Sequence, residues 1–204
     1  MPTTVSRRGL LRLGTAGFFG ASLMGGTVGA GAAPRGSTTP SLRGEVAHAA
    51  QLHDVPAALL LALGYVNTHL EMPAATGYRR GDPEARGTYG VMALVRNPAQ
   101  DTLGLAAELT GLPVQDLMAD RFANLRGGAA LLAHSQGRVR PAHPHGWLPA
   151  VAGHGGHGPR VHACAGVGGG ADYAAEVSDV LRAGFSRRTR SGEWLTLTPQ
   201  AGGA

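Results

Sequence analysis

The 204-residue sequence predicts a mostly α protein. The expected architecture is a compact bundle of about six or seven short helices joined by glycine-rich loops. Three observations carry this. Apolar residues recur at helical spacing in several separate windows. Proline and glycine cluster at the joins between those windows. Strict alternation is confined to one piece near the C-terminus, GEWLTLTP, which allows one short strand. Internal repeats and heptads are absent from the sequence.

The longest apolar run beyond the N-terminus, Ala58 to Glu71 (ALLLALGYVNTHLE), organises the rest. A helix from about Ser41 to His53 precedes it, with Leu42, Val46, Ala49, Ala50 and Leu52 on one side. Pro56 suits a first helical position, where its missing N–H and fixed φ do no harm, so the second helix is predicted over 56–71. On it Leu59, Leu63, Val66 and Leu70 form a core stripe. Leu60, Gly64, Asn67 and Glu71 share the neighbouring face over about three turns, and that face can open onto a cleft.

Residues 72–88 are turn-forming and charged, and a connection that long inside a domain is usually functional or disordered. Glycines then bracket an apolar patch from Gly87 to Leu94. Pro98 is expected to open a helix that ends near Thr110 with Gly111 as its cap, and Pro113 a short one through Ala119. A helix over Arg121 to His134 carries Phe122, Leu125, Ala129 and Leu132, with Gly127-Gly128 small enough for another helix to approach. One more short helix fits Gly146 to Gly153, and a last one Asp172 to Ala183, stopped by Gly184.

Composition excludes some functions. Every basic residue is arginine, and three of the 18 fall within the first twelve residues. Without residues 1–32, 15 arginines face 13 acidic residues, a net of +2. No basic patch interleaves with aromatics, so no nucleic-acid partner is expected. The N-terminus has the layout of a twin-arginine export signal: Arg7-Arg8, then a glycine-broken apolar region, then Ala30-Gly31-Ala32. A retained basic membrane helix is the alternative, but the apolar run is too short and glycine-rich for a good span. The expected organisation is therefore an export signal at 1–32, a linker at 33–40, a helical domain at 41–185 and a basic tail at 186–204. A secreted protein follows, with no stable membrane span after signal cleavage.

Cys164 has no partner in the chain, so no internal disulfide forms. His143, His145, His154, His157 and His162 crowd a short stretch and invite a metal reading. Their spacing gives no helical pair of zinc ligands and no carboxylate lies between them, which favours a histidine- and glycine-rich loop. No metal and no cofactor are expected.

Four stretches, in this order, resemble the lysozyme-like domain of soluble lytic transglycosylases and goose-type lysozymes. LLLALGYVNT aligns without a gap on that family's apolar helix, which ends in a catalytic Glu-Ser pair. Gly90-Val91-Met92-Ala93-Leu94 is similar to the family's Gly-Leu-Met-Gln, and Asn124-Leu125-Arg126-Gly127-Gly128 to its Asn-Ile-Arg-x-Gly helix. Ala150-Val151-Ala152-Gly153-His154 stands where the family shows Ala-Tyr-Asn-Ala-Gly. Together these span roughly residues 45–185. GLPVQDLMADRFANLRGGAALLA and EVSDVLRAGFSRRTRSGEWLTL more closely resemble the N-terminal module of secreted N-acetylmuramoyl-L-alanine amidases of high-GC Gram-positive bacteria, without the zinc domain of those enzymes.

The resemblance implies a peptidoglycan-directed domain, monomeric, whose partner is the glycan strand. It also implies that the reaction is lost. The family's glutamic acid protonates the leaving oxygen of a glycosidic bond. Its position here is Asn67, an amide, while Ala93 replaces the glutamine and Gly153-His154 the Tyr-Asn pair. Asn67, Thr68, Tyr89, Met92 and His154 are the expected glycan-binding residues. Glu71, expected one helical turn beyond Asn67 and so about 5–6 Å away, is the candidate catalytic acid if activity survives; the alternative is a solvated rim carboxylate. Asp82 and Glu84 are weaker candidates. Two other readings are an active lytic enzyme using Glu71 and a truncated amidase.

Overall fold

In a computed structural model, residues 40–82, 87–154 and 169–202 are described, all within one compact unit from Thr38 onward. The expected export signal, most of the linker, Glu84, His157, His162 and Cys164 lie outside the described residues.

Helix α1 (Leu42–Leu52) starts where Ser41 Oγ accepts from the N–H of Gly44 at 3.1 Å. Its first two N–H groups are taken by a carboxylate from far along the chain: Glu193 accepts from Leu42 at 2.8 Å and from Arg43 at 3.2 Å. Such a charge at a helix N-terminus satisfies orphan donors and opposes the helix dipole. Glu45 of α1 also holds Arg121, the first residue of α5 (Arg121–Gln136), through Nε at 2.6 Å and Nη2 at 3.0 Å.

The organising helix, α2 (Ala57–Thr68), is shorter than its sequence predicts. The core stripe Leu59, Leu63 and Val66 is buried as expected. After Thr68, however, His69 and Leu70 both take left-handed backbone, φ 55° and 63°, and the Leu70 N–H reaches back to the Gly64 carbonyl at 2.9 Å. The Leu70 side chain folds over Gly64, where a Cβ would stand only 2.7 Å from Leu70 Cδ2. Leu70 is thus a core residue by chain reversal, and Gly64 is covered by Leu70 and Val91 instead of lining a cleft. Glu71 leaves the helical face it was expected to share with Asn67.

A small antiparallel meander follows, β1 (Thr88–Tyr89), β2 (Leu94–Asn97) and β3 (Gln100–Asp101). No helix opens at Pro98. Asn97 Oδ1 accepts from the N–H groups of Ala99 and Gln100 at 2.9 and 3.0 Å, closing the turn between β2 and β3. Such side-chain bonding to the backbone competes with helix formation. Helix α3 (Thr102–Thr110) begins only at Asp101, whose carboxylate caps Gly104 at 2.7 Å, and ends at Gly111 with φ 68° as predicted. Helix α4 (Val114–Ala119) follows Pro113.

Helix α5 is central: Leu125, Ala129 and Leu132 are buried, while Phe122 is partly covered. Its Gly127-Gly128 pair leaves room for close neighbours, Leu94, Leu117 of α4 and Ala106 of α3 at Gly127 and Met92 at Gly128, and α3 and α4 pack against α5. A 3-10 turn (Pro144–Trp147) buries Trp147 and leads into α6 (Leu148–His154). Helix α7 (Gly169–Ala183) packs against α6 and α2.

The stretch from 186 onward, read from sequence as a tail, is built into this unit. Gly184 turns at φ 64° into β4 (Phe185–Arg188), which pairs with β5 (Trp194–Leu197) from Phe185–Leu197 to Arg188–Trp194. The predicted alternation holds on β5: Leu195 and Leu197 are buried, Trp194 and Thr196 exposed. Among the described residues the protein is mostly helical, with seven α-helices and two small sheets, and none of those helices is long and apolar enough to cross a membrane.

Candidate functional site

The chain reversal after α2 opens a cavity of about 310 Å³ beside that helix's C-terminal end. Three pieces wall it: Asn67, Thr68, His69 and Glu71 from the exit of α2, Gly90 and Ala93 from the turn between β1 and β2, and Arg187 and Arg190 from the β4–β5 hairpin.

The turn is fixed by two buried amides. Asn124, fully buried on α5, accepts from the Met92 N–H at 2.8 Å and donates Nδ2 to the carbonyls of Tyr89 at 3.1 Å and Leu117 at 2.7 Å. Both its donors are used, so the amide is held in one orientation. Gly90 is required here twice over. Its φ is 70°, and a Cβ would fall 2.2 Å from Asn124 Cγ. Ala93 accepts the same left-handed strain at φ 50° and closes the turn with its N–H on the Gly90 carbonyl at 3.0 Å.

Asn67 is the second amide. Its Nδ2 donates to the Met92 carbonyl at 3.1 Å, and its Oδ1 accepts the phenolic hydroxyl of Tyr173 at 2.8 Å. Next to it, Thr68 Oγ1 donates to the Val91 carbonyl at 2.9 Å. Asn67 therefore touches the cavity with its polar atoms already engaged inside the protein. Burial holds the Tyr173 phenol above its ordinary range, outweighing the amide beside it. This hydroxyl is therefore protonated, and a donor, at neutral pH.

Glu71 lines the same cavity from a different direction than the sequence implied. Its Oε1 accepts the Arg190 N–H at 2.9 Å and faces Arg187 Nη2 at 3.5 Å, so the carboxylate clasps the hairpin. Arg187 in turn lies over the Tyr65 ring, 6.0 Å from its centre.

Of the other expected contacts, Tyr89 and Met92 are buried and do not border the cavity. Tyr89 supplies its carbonyl to Asn124, and Met92 packs its side chain on Gly128. His154 is the last residue of α6. Asp82 pairs with Arg79 at 3.3 Å outside the cavity. Among the described residues, no group of three or more His, Cys, Asp or Glu is arranged to hold a metal ion.

Tyr173, Arg187 and Arg190 were not singled out from sequence. Tyr173 fell within the helix predicted over Asp172 to Ala183, and the arginines within the basic tail. The one available signal was the alternation of the last strand, which requires a pairing partner and so folds the arginines back onto the domain.

Comparison with protein-family models, with curated proteins and with solved structures found no match.

Proposed function

We propose that this chain is an exported, cell-wall-directed protein whose cleft binds peptidoglycan glycan without cleaving it. The observation that carries the reading is the state of Asn67. It occupies the position that the lysozyme-like resemblance gives to the catalytic acid, and both ends of its amide are committed, to Tyr173 and to Met92. An amide transfers no proton at neutral pH, and one that is locked cannot swing toward a substrate. Glu71, the remaining carboxylate of the cavity wall, accepts hydrogen bonds from the hairpin and is turned to structural use. Thr68, the turn backbone and the arginines leave a polar surface suited to hydroxyl and acetamido groups. The Arg7-Arg8 segment supports export through the twin-arginine route.

A second reading, an active lytic enzyme with Glu71 as acid and base, is favoured by one fact: Glu71 borders the same cavity as Asn67. Incubation with purified peptidoglycan separates the two. Sedimentation of the protein with the wall material, without soluble muropeptides, is the expected result. Muropeptide release that disappears in Glu71→Gln would replace binding with catalysis.

A further inference from the structure

We infer that the hairpin end of the cavity recognises an oxyanion carried by the wall polymer, a carboxylate or a phosphate. This rests on the glycan-binding reading and names the chemistry of the ligand.

The cavity wall carries two guanidinium groups, Arg187 and Arg190, against one carboxylate, Glu71. The carboxylate is bound chiefly by a backbone group, the Arg190 N–H at 2.9 Å, so it leaves most guanidinium donors unspent. Arg187 offers five N–H donors in a planar fork. Among the described residues only Nη2 has a protein acceptor, at the long distance of 3.5 Å, and Nε is shut from solvent without a partner. The Nη hydrogens that the protein leaves free are those that an arriving oxyanion can take in charge-assisted bonds. The Arg190 side chain makes no ion pair among the described residues.

Position supports the same reading. Arg187 lies opposite Leu195 in the hairpin register, on the face that buries Leu195 and Leu197. It is thus held against the domain while the exposed face carries Arg188 and Trp194. Its guanidinium carbon lies 6.0 Å from the centre of the Tyr65 ring, within cation–π reach. Guanidinium groups at one end and the Thr68 hydroxyl with the turn backbone at the other match a sugar with an acidic substituent. In the wall that substituent is either the carboxylate of muramic acid or its peptide, or the phosphate of an attached glycerol-phosphate polymer.

Calorimetric titration of the protein tests this with four probes: the N-acetylglucosaminyl-N-acetylmuramic acid disaccharide, its lactyl methyl ester, N,N′-diacetylchitobiose and a glycerol-phosphate oligomer. The free acid is expected to bind about tenfold more tightly than its ester, the equivalent of one charge-assisted hydrogen bond. Arg187→Gln and the exposed Arg190→Gln should each abolish that difference, lowering acid affinity by far more than ester affinity; Arg190→Lys should keep part of it. Thermal melts of each variant guard against misfolding. Equal affinity for acid and ester, or no effect of either arginine variant, overturns the inference and leaves glycan binding standing. Binding of the glycerol-phosphate oligomer alone assigns the oxyanion to phosphate and removes the glycan reading. Binding of no probe overturns both.

Discussion

Leu70 donates its N–H to the Gly64 carbonyl at 2.9 Å and lays its side chain over the bare face of that same glycine. This reversal decides where Glu71 goes. A helix continued for one more turn would set Glu71 beside Asn67; two left-handed residues instead deliver it to the hairpin.

Gly64→Ala should therefore move more than it adds. Alanine gains roughly 1 kcal/mol of helix propensity over glycine. The new methyl would stand 2.7 Å from Leu70 Cδ2 and 3.2 Å from Val91 Cγ1. Overpacking of this kind costs about 1–3 kcal/mol. A net loss of about 1 kcal/mol in urea denaturation is expected, together with faster amide exchange at Arg190. A gain in stability would show that Leu70 repacks freely.

Tyr173→Phe and Asn67→Asp should differ in severity. The first leaves Asn67 Oδ1 without its donor, worth about 1–2 kcal/mol. The second removes the donor to the Met92 carbonyl and also buries a carboxylate, for about 3 kcal/mol or more at neutral pH. The order of the two midpoints in chemical denaturation is the check. Tyr173 also makes stability pH-dependent. Its pKa is raised in the folded state, so the unfolded chain loses its proton first and stability falls as pH rises past the ordinary tyrosine value of about 10. Tyr173→Phe should flatten that alkaline decline.

Gly90→Ala should be the most damaging small change at the cavity. It combines a left-handed φ of 70° with a Cβ 2.2 Å from Asn124 Cγ. Roughly 1–2 kcal/mol of backbone strain joins about 1–3 kcal/mol of overpacking. Loss of the cooperative thermal transition, or a large fall in its midpoint, is expected.

At acid pH the sensitive group is His53. Burial lowers its pKa first, and the nearby Arg126 lowers it further. The folded state resists a proton that the unfolded state accepts, so stability present above about pH 6.5 should decline as pH falls below it. Thermal melts of wild type and His53→Leu between neutral and mildly acid pH test this; the variant should lose less.

Much of the helical scaffold was legible because local chemistry and core packing agree. Ser41, Gly111, Pro113 and Gly184 stand at the helix boundaries they announce. Where two local signals compete, the sequence misleads. Pro98 favours a helix start, but Asn97 closes a turn first and Asp101 offers a better cap. The end of α2 was hidden because Leu70 satisfies helical periodicity while being buried by a different route. At the cavity, Asn67 was visible as an amide in an apolar helix. Its partner Tyr173 lies 106 positions away, and no local pattern pairs them. The arginines of the hairpin were misplaced for the same reason, since what recruits them is the distant Glu71.

The capping of α1 by Glu193 has a consequence for the order of events during synthesis. The Leu42 N–H finds its carboxylate 151 residues later, so the first helix emerges from the ribosome without the group that completes its start. The earliest part of the unit is finished by nearly the last. Folding of the unit to its final state therefore waits for the hairpin, whose docking meets the loop-closure entropy. A chain arrested before Glu193 should expose a protease-sensitive α1 capped by Ser41 alone, and extension past the hairpin should protect it.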